Sequence, residues 1–383
     1  MLTFQDAIDN LLGYAGDDAS GTGTTKVRRA VQAAYRAVPT RHDWAYLWTL
    51  GRITTNASYA TGTIAYDHTG GANERQLTLT DGTWPSWAAY GYVMIDSIPY
   101  TVSARVSDTI VQLAEGSNPG EDVAADTDYQ LYRDSYPLPS NFVHGDETVA
   151  NSIGSVLEYV HPRNWSSSRR TSTGSGSPSV FSYLGDPNVL GSLRMVLWPP
   201  PDAVYQIDFL YRRSPRAMVF EAHQTGLVSC TADGTTITGS GTAFNQRMVG
   251  SIIRFAADNV ESPTGPGGGV PAIYERTITA VASATSLTVG EAMDESLTEV
   301  KFTITDPCDI DGVGMVEYFQ RECEKQFRIQ ARSVVAKLDE ERDYGIAFTR
   351  ALENDSKYTG RAASLRRQSR RSGYDHHPLD WGT

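Results

Sequence analysis

The sequence predicts a mixed α+β protein. Its expected parts are a discontinuous helical-bundle domain built from both chain ends, a β-rich middle with two inserted small β-barrel or sandwich modules, and an extended carboxy-terminal arm. Three observations predict this class: helical periodicity at both ends, short alternating runs between them, and a strand pattern that occurs twice. The chain has 383 residues, 40% hydrophobic and 20% charged, which excludes disordered, collagen-like and coiled-coil compositions.

The amino-terminal segment, residues 1–57, is predicted to be helical. Apolar residues recur at three- and four-residue steps from Phe4 to Leu12, which indicates a first helix. A second helix is expected to begin near Thr25, which can cap it, and to end at Pro39. We therefore assign this segment to the helical domain.

A β pattern follows and occurs twice, which predicts that residues 222–306 repeat the module of residues 58–134. Each copy is expected to hold five or six strands, and residues 135–221 form a β-rich segment between the copies. The matched residues are Thr61, Gly62 and Ile64 with Thr225, Gly226 and Val228; Gly82, Thr83 and Trp87 with Gly241, Thr242 and Phe244; Gly91, Val93 and Ile95 with Gly250, Ile252 and Arg254 or Phe255; Thr109, Val111 and Leu113 with Thr285, Leu287 and Val289; and Tyr129 and Leu131 with Phe302 and Ile304.

The carboxy-terminal part of the helical domain is predicted over residues 307–360. Its periodicity indicates a long helix from Val313 to Leu338 and a further helix from about Glu340 to Asp355. The residues expected to pack this helix within the bundle and in assembly are Val316, Phe319, Phe327, Val334 and Leu338.

Residues 361–383 form a basic and aromatic arm. The chain has a net charge of −12, but from Lys357 to its end six basic residues stand against two acidic ones, which leaves −16 on the remainder. Arg and aromatic side chains dominate binding hot spots, so we predict docking onto a partner. A solubilising tail and a nucleic-acid-binding arm are the alternatives. The predicted docking residues are Arg361, Arg366, Arg367, Arg370, Arg371, Tyr374, Leu379 and Trp381.

No catalytic or cofactor motif is present, since GxGxxG, GxxxxGK[ST], GxSxG and HExxH are all missing. We expect no enzyme, no cofactor and no metal. A calcium loop at Asp306, Asp309 and Asp311 is disfavoured because Tyr318 stands where a bidentate Glu is required. The three cysteines lack metal spacing and predict a reduced compartment, and no secretion signal or membrane span is expected.

Four stretches together resemble the head-to-tail adaptors of tailed bacteriophages, the connector or gatekeeper class that includes tail tubular protein A of short-tailed phages. The second β module also contains a run, Gly239 to Phe244, that is similar to small domains common in phage structural proteins. The four stretches are Trp44 to Trp48, Leu131 to Phe142, Trp198 to Pro201 with Phe209 to Pro215, and Ala351 to Tyr358.

The resemblance implies a non-enzymatic virion protein of the neck or tail, assembled in the host cytoplasm. It implies a ring of about twelve copies beneath the portal, joined to the portal protein by the carboxy-terminal arm. The β modules would face the tail tube, nozzle or tail fibres, and double-stranded DNA would pass the channel without tight binding during genome retention and ejection. No family residue is catalytic, so none is transferred to this chain.

Two other classes stay open. A phage or surface β-module protein that binds glycan, a host receptor or another tail component would use Trp84, Trp87, Tyr90 and Tyr92. A carboxylate-based hydrolase would need two acids facing one cleft.

Overall fold

A computed structural model describes residues 2–15, 22–68, 74–168, 175–186, 189–265, 269–310, 313–331 and 338–359. It confirms a mixed α+β protein whose content is mostly β. The chain divides into two compact units: unit 1 comprises residues 1–47 and 215–383, and unit 2 comprises residues 48–214. The second β module therefore belongs to the unit that also contains the long helices.

Four long helices lie in unit 1 and one short helix lies in unit 2, within the described residues. The helices are α1 (Phe4–Ala15), α2 (Thr22–Arg41), α3 (Trp165–Ser168), α4 (Val313–Ala331) and α5 (Leu338–Thr359). The predicted helix from Val313 to Leu338 is described as far as Ala331 in α4, Leu338 is the first position of α5, and residues 332–337 lie outside the described residues.

Pro39 does not end the second helix, as the sequence predicted, but lies inside its last turn. Two backbone carbonyl groups near that turn accept hydrogen bonds from side chains. The indole N–H of Trp44 donates to the carbonyl of Val38 at 2.8 Å, and the Thr40 hydroxyl donates to that of Ala37. Helix ends persist where such partners exist, so α2 continues to Arg41.

One hydrophobic core contains the buried faces of α1, α2, α4 and α5. Trp44 is fully buried in it, and its ring lies near Tyr318 and Phe348. At Gly314 an added Cβ would lie 3.2 Å from the Ala351 backbone, so glycine permits the close approach of α4 to α5. The fully or largely buried residues include Phe4, Ile8, Leu11, Val27, Val31, Ala34, Val38, Phe319, Phe327, Ala347 and Ala351.

Unit 2 contains a central seven-stranded sheet. Its strands are β1 (Trp48–Thr54), β9 (Ser135–Pro137), β10 (Phe142–Asn151), β11 (Val156–Tyr159), β12 (Val180–Gly185), β13 (Leu193–Trp198) and β14 (Gln206–Arg213). They lie in the order β1-β14-β10-β11-β12-β13-β9. Residues 48–54, predicted within the helical segment, form β1 because they pair along their whole length with β14.

The two modules are seven-stranded sheets, one or two strands more than predicted. Module 1 consists of β2 (Thr63–Asp67), β3 (Gln76–Thr80), β4 (Tyr92–Ile95), β5 (Ile98–Arg105), β6 (Ile110–Leu113), β7 (Val123–Thr127) and β8 (Gln130–Tyr132). Module 2 consists of β15 (Leu227–Cys230), β16 (Thr236–Ser240), β17 (Ile252–Phe255), β18 (Tyr274–Ser283), β19 (Ser286–Val289), β20 (Leu297–Val300) and β21 (Phe302–Thr305). The two modules have the same topology. The strand order is β7-β2-β3-β6-β5-β4-β8 in module 1 and β20-β15-β16-β19-β18-β17-β21 in module 2.

Hydrogen bonds correct two of the predicted residue matches. The backbone N–H of Trp84 donates to the carbonyl group of residue 108, and the backbone N–H of Phe244 donates to the carbonyl group of residue 284. Residues 108 and 284 directly precede Thr109 and Thr285, which are equivalent in the two modules. Trp84, not Trp87, is therefore the counterpart of Phe244. Likewise Val93 pairs with Leu131 as Ile253 pairs with Ile304, so the match at β4 and β17 shifts by one residue.

Gly62 and Gly226 hold the same place in the two modules, directly before β2 and β15. Their φ angles are +81° and +94°, and an added Cβ would lie 2.1 Å from the Thr80 carbonyl oxygen or 2.5 Å from that of Ser240. Left-handed backbone and close approach both require glycine here.

We expect Gly62→Ala to lower the free energy of unfolding of unit 2 by about 2 kcal/mol, because the methyl group adds backbone strain to a steric clash. Gly116→Ala is the matched control, since its Cβ would meet no atom within 4 Å. The control should change stability by less than about 0.5 kcal/mol in urea unfolding followed by tryptophan fluorescence. Equal losses in both variants would show that Gly62 has no special role.

Candidate interaction surfaces

The predicted docking residues of the arm, Arg361 to Trp381, lie outside the described residues. The structure does show where the chain enters the arm. Helix α5 ends at Thr359, and its residues Ala347 and Ala351 are buried in the helical core. The arm therefore begins at most a few residues from an element that is packed in unit 1.

Two of the predicted packing residues, Phe319 and Phe327, lie inside the core of their own chain. Val316 is only half-buried, Val334 lies outside the described residues, and Leu338 occupies the first position of α5. Because Phe319 and Phe327 are buried within one chain, a surface for a second copy has to be formed by other residues.

Asp306, the last residue of module 2, is fully buried. Its carboxylate accepts hydrogen bonds from the Arg216 guanidinium at 3.1 Å, the Ser251 hydroxyl at 2.7 Å and the backbone N–H groups of Val219 and Phe220 at 2.6 Å. These donors use the carboxylate oxygens that a calcium ion would need. Asp306 therefore holds the chain at the start and end of module 2 together.

A second buried network joins α1 to module 2. The Arg254 guanidinium, 1% exposed, donates to Asp6 at 3.0 Å, to Glu275 at 2.6 Å and to the Gln5 side-chain oxygen at 3.2 Å. Burial alone would lower the pKa of Arg254, but hydrogen bonds to both carboxylates outweigh it and raise that pKa. This arginine attaches the module firmly to the helical part of the same unit.

His223 stands in module 2 where Tyr59 stands in module 1, since each exchanges backbone hydrogen bonds with the last strand. Its ring lies near Phe220 and Phe302, and its Nε2 is buried with no hydrogen-bond partner in the described structure. Burial lowers the pKa of His223 below its usual value, so the folded chain resists the proton that the unfolded chain accepts.

Unit 1 should accordingly lose stability as the pH falls below about 6.5, where the unfolded histidine takes up its proton first. His223→Phe, which keeps an aromatic ring between Phe220 and Phe302, should weaken this pH dependence. The check is hydrogen exchange in unit 1 from about pH 8 to pH 5, with the two proteins compared at each pH. An unchanged pH dependence in the variant would show that another group is responsible.

Helix α2 carries a basic face. It has five cations, Lys26, Arg28, Arg29, Arg36 and Arg41, and no acidic residue. Arg28 pairs with Glu221, and Arg41 lies 4.0 Å from Glu322. The other three cations are exposed and form no ion pair with any residue of the described chain. The described helices therefore do not form a uniformly acidic surface.

The acidic excess lies in the β modules. Residues 58–134 contain three basic and eleven acidic residues, a net charge of −8, and residues 222–306 contain four basic and nine acidic ones. Around edge strand β7 the acids Glu121, Asp122, Asp126 and Asp128 are exposed. In module 2, by contrast, Arg276 pairs with Glu291 and Asp294.

Both edge strands contain an acid with a left-handed backbone, Asp126 at φ 66° and Glu299 at φ 51°. Register shifts occur at these points in the pairing of β7 with β2 and of β20 with β15. Bulges and charges on an edge strand oppose further strand addition. The modules are therefore protected against edge-to-edge aggregation.

The aromatic residues proposed for glycan binding separate into two environments. Trp84 is 0% exposed in the core of module 1, whereas Tyr90 is 66% exposed. The Arg133 guanidinium lies 5.1 Å from the Tyr90 ring and 4.7 Å from the Tyr136 ring, and burial lowers its pKa. Of the two, Tyr90 is available to a ligand and Trp84 is not.

Trp84→Ala should destabilise unit 2 by about 3 to 5 kcal/mol, because it leaves a cavity in a packed core. Tyr90→Ala should cost less than about 1 kcal/mol, mainly its cation–π contact with Arg133. Urea unfolding distinguishes the two. A test of glycan binding therefore requires Tyr90→Ala, and similar stabilities in the two variants would contradict these burial assignments.

Groups that could perform chemistry are few among the described residues. Within them, no group of three or more His, Cys, Asp or Glu side chains could hold a metal ion. Burial raises the pKa of the Cys308 and Cys323 thiols, which keeps them protonated and unreactive near neutral pH. One shallow cavity of about 370 Å³ contains two carboxylates, but Glu275 binds Arg254 and Glu291 pairs with Arg276.

No helix in the described ranges combines the length and apolar character of a membrane span. Comparison with protein-family models, with curated proteins and with solved structures finds no match.

Proposed function

We propose that this chain is a head-to-tail adaptor of a tailed bacteriophage, a virion structural protein that joins the portal to the tail. In this proposal the helical segments from both chain ends form one discontinuous bundle domain, and about twelve copies assemble into a ring. The arm docks onto the portal protein, the β modules contact the tail tube, nozzle or fibres, and the ring forms part of the DNA channel.

The observation that carries the proposal is the single hydrophobic core that α1 and α2 share with α4 and α5. Residues from the two ends of the chain meet there although both β modules lie between them in sequence. A core of packed helices provides a rigid surface for a ring, and α5 ends directly before the basic and aromatic arm. This combination supports a protein held in an assembly by its terminus.

The charge distribution supports passage of DNA without tight binding. Excluding the segment from Lys357 to the end, the body carries a net charge of −16. Affinity for DNA comes from cations that neutralise phosphates, so an acidic body binds DNA weakly. The acids of the modules, rather than those of the helices, supply most of this charge.

The experiment that tests the proposal is single-particle imaging of the native assembly from which the chain is purified. The expected result is a closed ring around an open channel between portal and tail. A peripheral position on fibres, or a trimer remote from the portal, would overturn it.

Glycan or receptor binding is the second candidate, and exposed Tyr90 beside Arg133 is the observation that favours it. Aromatic rings stack on the apolar faces of sugars, which makes this pair suitable for such contact. A glycan array would support this candidate if binding is reproducible and lost in Tyr90→Ala. Equal binding by the variant would remove Tyr90 from consideration.

A further inference from the structure

The exposed cations of α2 lie on one helical face. Lys26, Arg29 and Arg36 follow the spacing of one face, and the small residues Ala33 and Ala37 lie between them. None of the three cations pairs with a described residue, although Arg28 and Arg41 beside them do. The charge on this face is therefore not neutralised within the described chain.

The acidic residues around β7 carry the opposite charge and also lack ion pairs within the described structure. Glu121, Asp122, Asp126 and Asp128 are exposed and form no ion pair with a described residue. In module 2, Arg276 pairs with Glu291 and Asp294, which lie between β19 and β20, and its counterpart in module 1 is Tyr100. In the described structure, no arginine of module 1 forms an ion pair with these four acids.

We propose that the basic face of α2, defined by Lys26, Arg29 and Arg36, binds the acidic edge of module 1, defined by Glu121, Asp122, Asp126 and Asp128, in a second copy of this chain. The inference rests on the proposed ring and names its contact between copies. Two different surfaces that complement each other make a heterologous contact, which is the kind that a closed ring requires.

Charge complementarity favours a second copy over DNA. Three exposed cations on a body with a net charge of −16 can neutralise few phosphates, so they provide little affinity for a duplex. The four acids around β7 form no ion pair in the described structure and carry the charge opposite to that of the three cations. Opposite surfaces of this kind also orient the partners as they approach, and salt weakens the attraction.

Zero-length carbodiimide cross-linking tests the contact, because it joins a lysine only to a carboxylate that touches it. The full chain has five lysines, and Lys26 is the only one on α2. In an equal mixture of ¹⁵N-labelled and unlabelled protein at low ionic strength, we expect peptides that link Lys26 to Glu121, Asp122 or Asp128 across the two labels. The cross-links should disappear at high salt.

Charge reversal provides the decisive control. One variant carries Lys26→Glu, Arg29→Glu and Arg36→Glu; the other carries Glu121→Lys and Asp128→Lys. Each alone should self-associate about tenfold more weakly, the effect of losing a few exposed ion pairs. When the two are mixed, association should return, and new links should join the glutamate introduced on α2 of one variant to a lysine introduced beside β7 of the other. Arg163→Glu, a reversal at an exposed site outside both surfaces, should change nothing.

The outcomes separate this inference from the proposed function. Rings of the wild-type chain without these cross-links, or no recovery on mixing, would overturn the contact and leave the ring intact. Links between copies in chains that never form rings would support the contact and contradict the adaptor. DNA retardation that is lost only in the α2 variant, without links between copies, would assign the basic face to DNA and overturn the inference.

Discussion

A chain truncated after Thr359 is expected to fold and to fail to join its partner. The described core of unit 1 ends with α5 at Thr359, so truncation removes no residue of that core. It does remove five arginines together with Tyr374, Leu379 and Trp381. Loss of a hot-spot segment commonly costs about 2 kcal/mol or more per anchor, so we expect binding to fall by about a hundredfold or more.

The measurement is co-purification of the truncated chain with the portal, together with its incorporation into particles. Circular dichroism and urea unfolding of the same chain serve as the folding control. Full-length protein with Tyr374→Ala and Trp381→Ala separates the aromatic anchors from the basic charge. Undiminished incorporation of the truncated chain would contradict the docking role, and failure to fold would show that the arm belongs to the folded unit.

Replacement of Arg254 by methionine is expected to destabilise unit 1 by about 3 kcal/mol or more. Methionine preserves most of the volume but leaves Asp6 and Glu275 without the guanidinium that neutralises them. Removing one partner of a buried ion pair costs about 3 to 5 kcal/mol, because the remaining charge stays in a poorly solvated place. Denaturant unfolding, with hydrogen exchange to locate the loss, measures the effect.

Arg350→Met is the matched control. Arg350 pairs with Glu317 on the helix surface, where the two side chains are 60% and 42% exposed. Its loss should cost less than about 0.5 kcal/mol. Adding Asp6→Asn to Arg254→Met should recover part of the stability, because one buried charge disappears with its partner. Equal losses of unfolding free energy in Arg254→Met and Arg350→Met would show that the buried network contributes no more to stability than an exposed ion pair.

The repeat was visible in the sequence because it rests on local signals. Alternating apolar residues identify strands, and a glycine before each first strand marks a turn that other residues cannot form easily. Gly62 and Gly226 both have positive φ, and the strand orders of the two modules are the same. The sequence analysis matched Trp87 instead of Trp84 with Phe244, because the two tryptophans lie close together in the sequence. Only the hydrogen bond from the Trp84 backbone shows which of them is the counterpart of Phe244.

The edge strands β7 and β20 carry little strand signal in the sequence. Val123–Thr127 is largely exposed, and acidic residues occur at its bulge and beside it, so it lacks the alternation of a half-buried strand. Residues 48–54 were not predicted as a strand. They follow a helix and an aromatic cluster directly, and only their pairing with β14, about 160 residues away, makes them a strand.

The sequence by itself determined the mixed fold class, the periodic faces of the helices, the duplicated module and the contrast between an acidic body and a basic arm. Periodicity and composition carry these properties because each depends on neighbouring residues. Only the tertiary structure decided which charges are neutralised. Arg254 meets Asp6 across 248 residues and Asp306 meets Arg216 across 90. Such pairs leave no periodic trace, and burial makes them strong by removing water from around the charges.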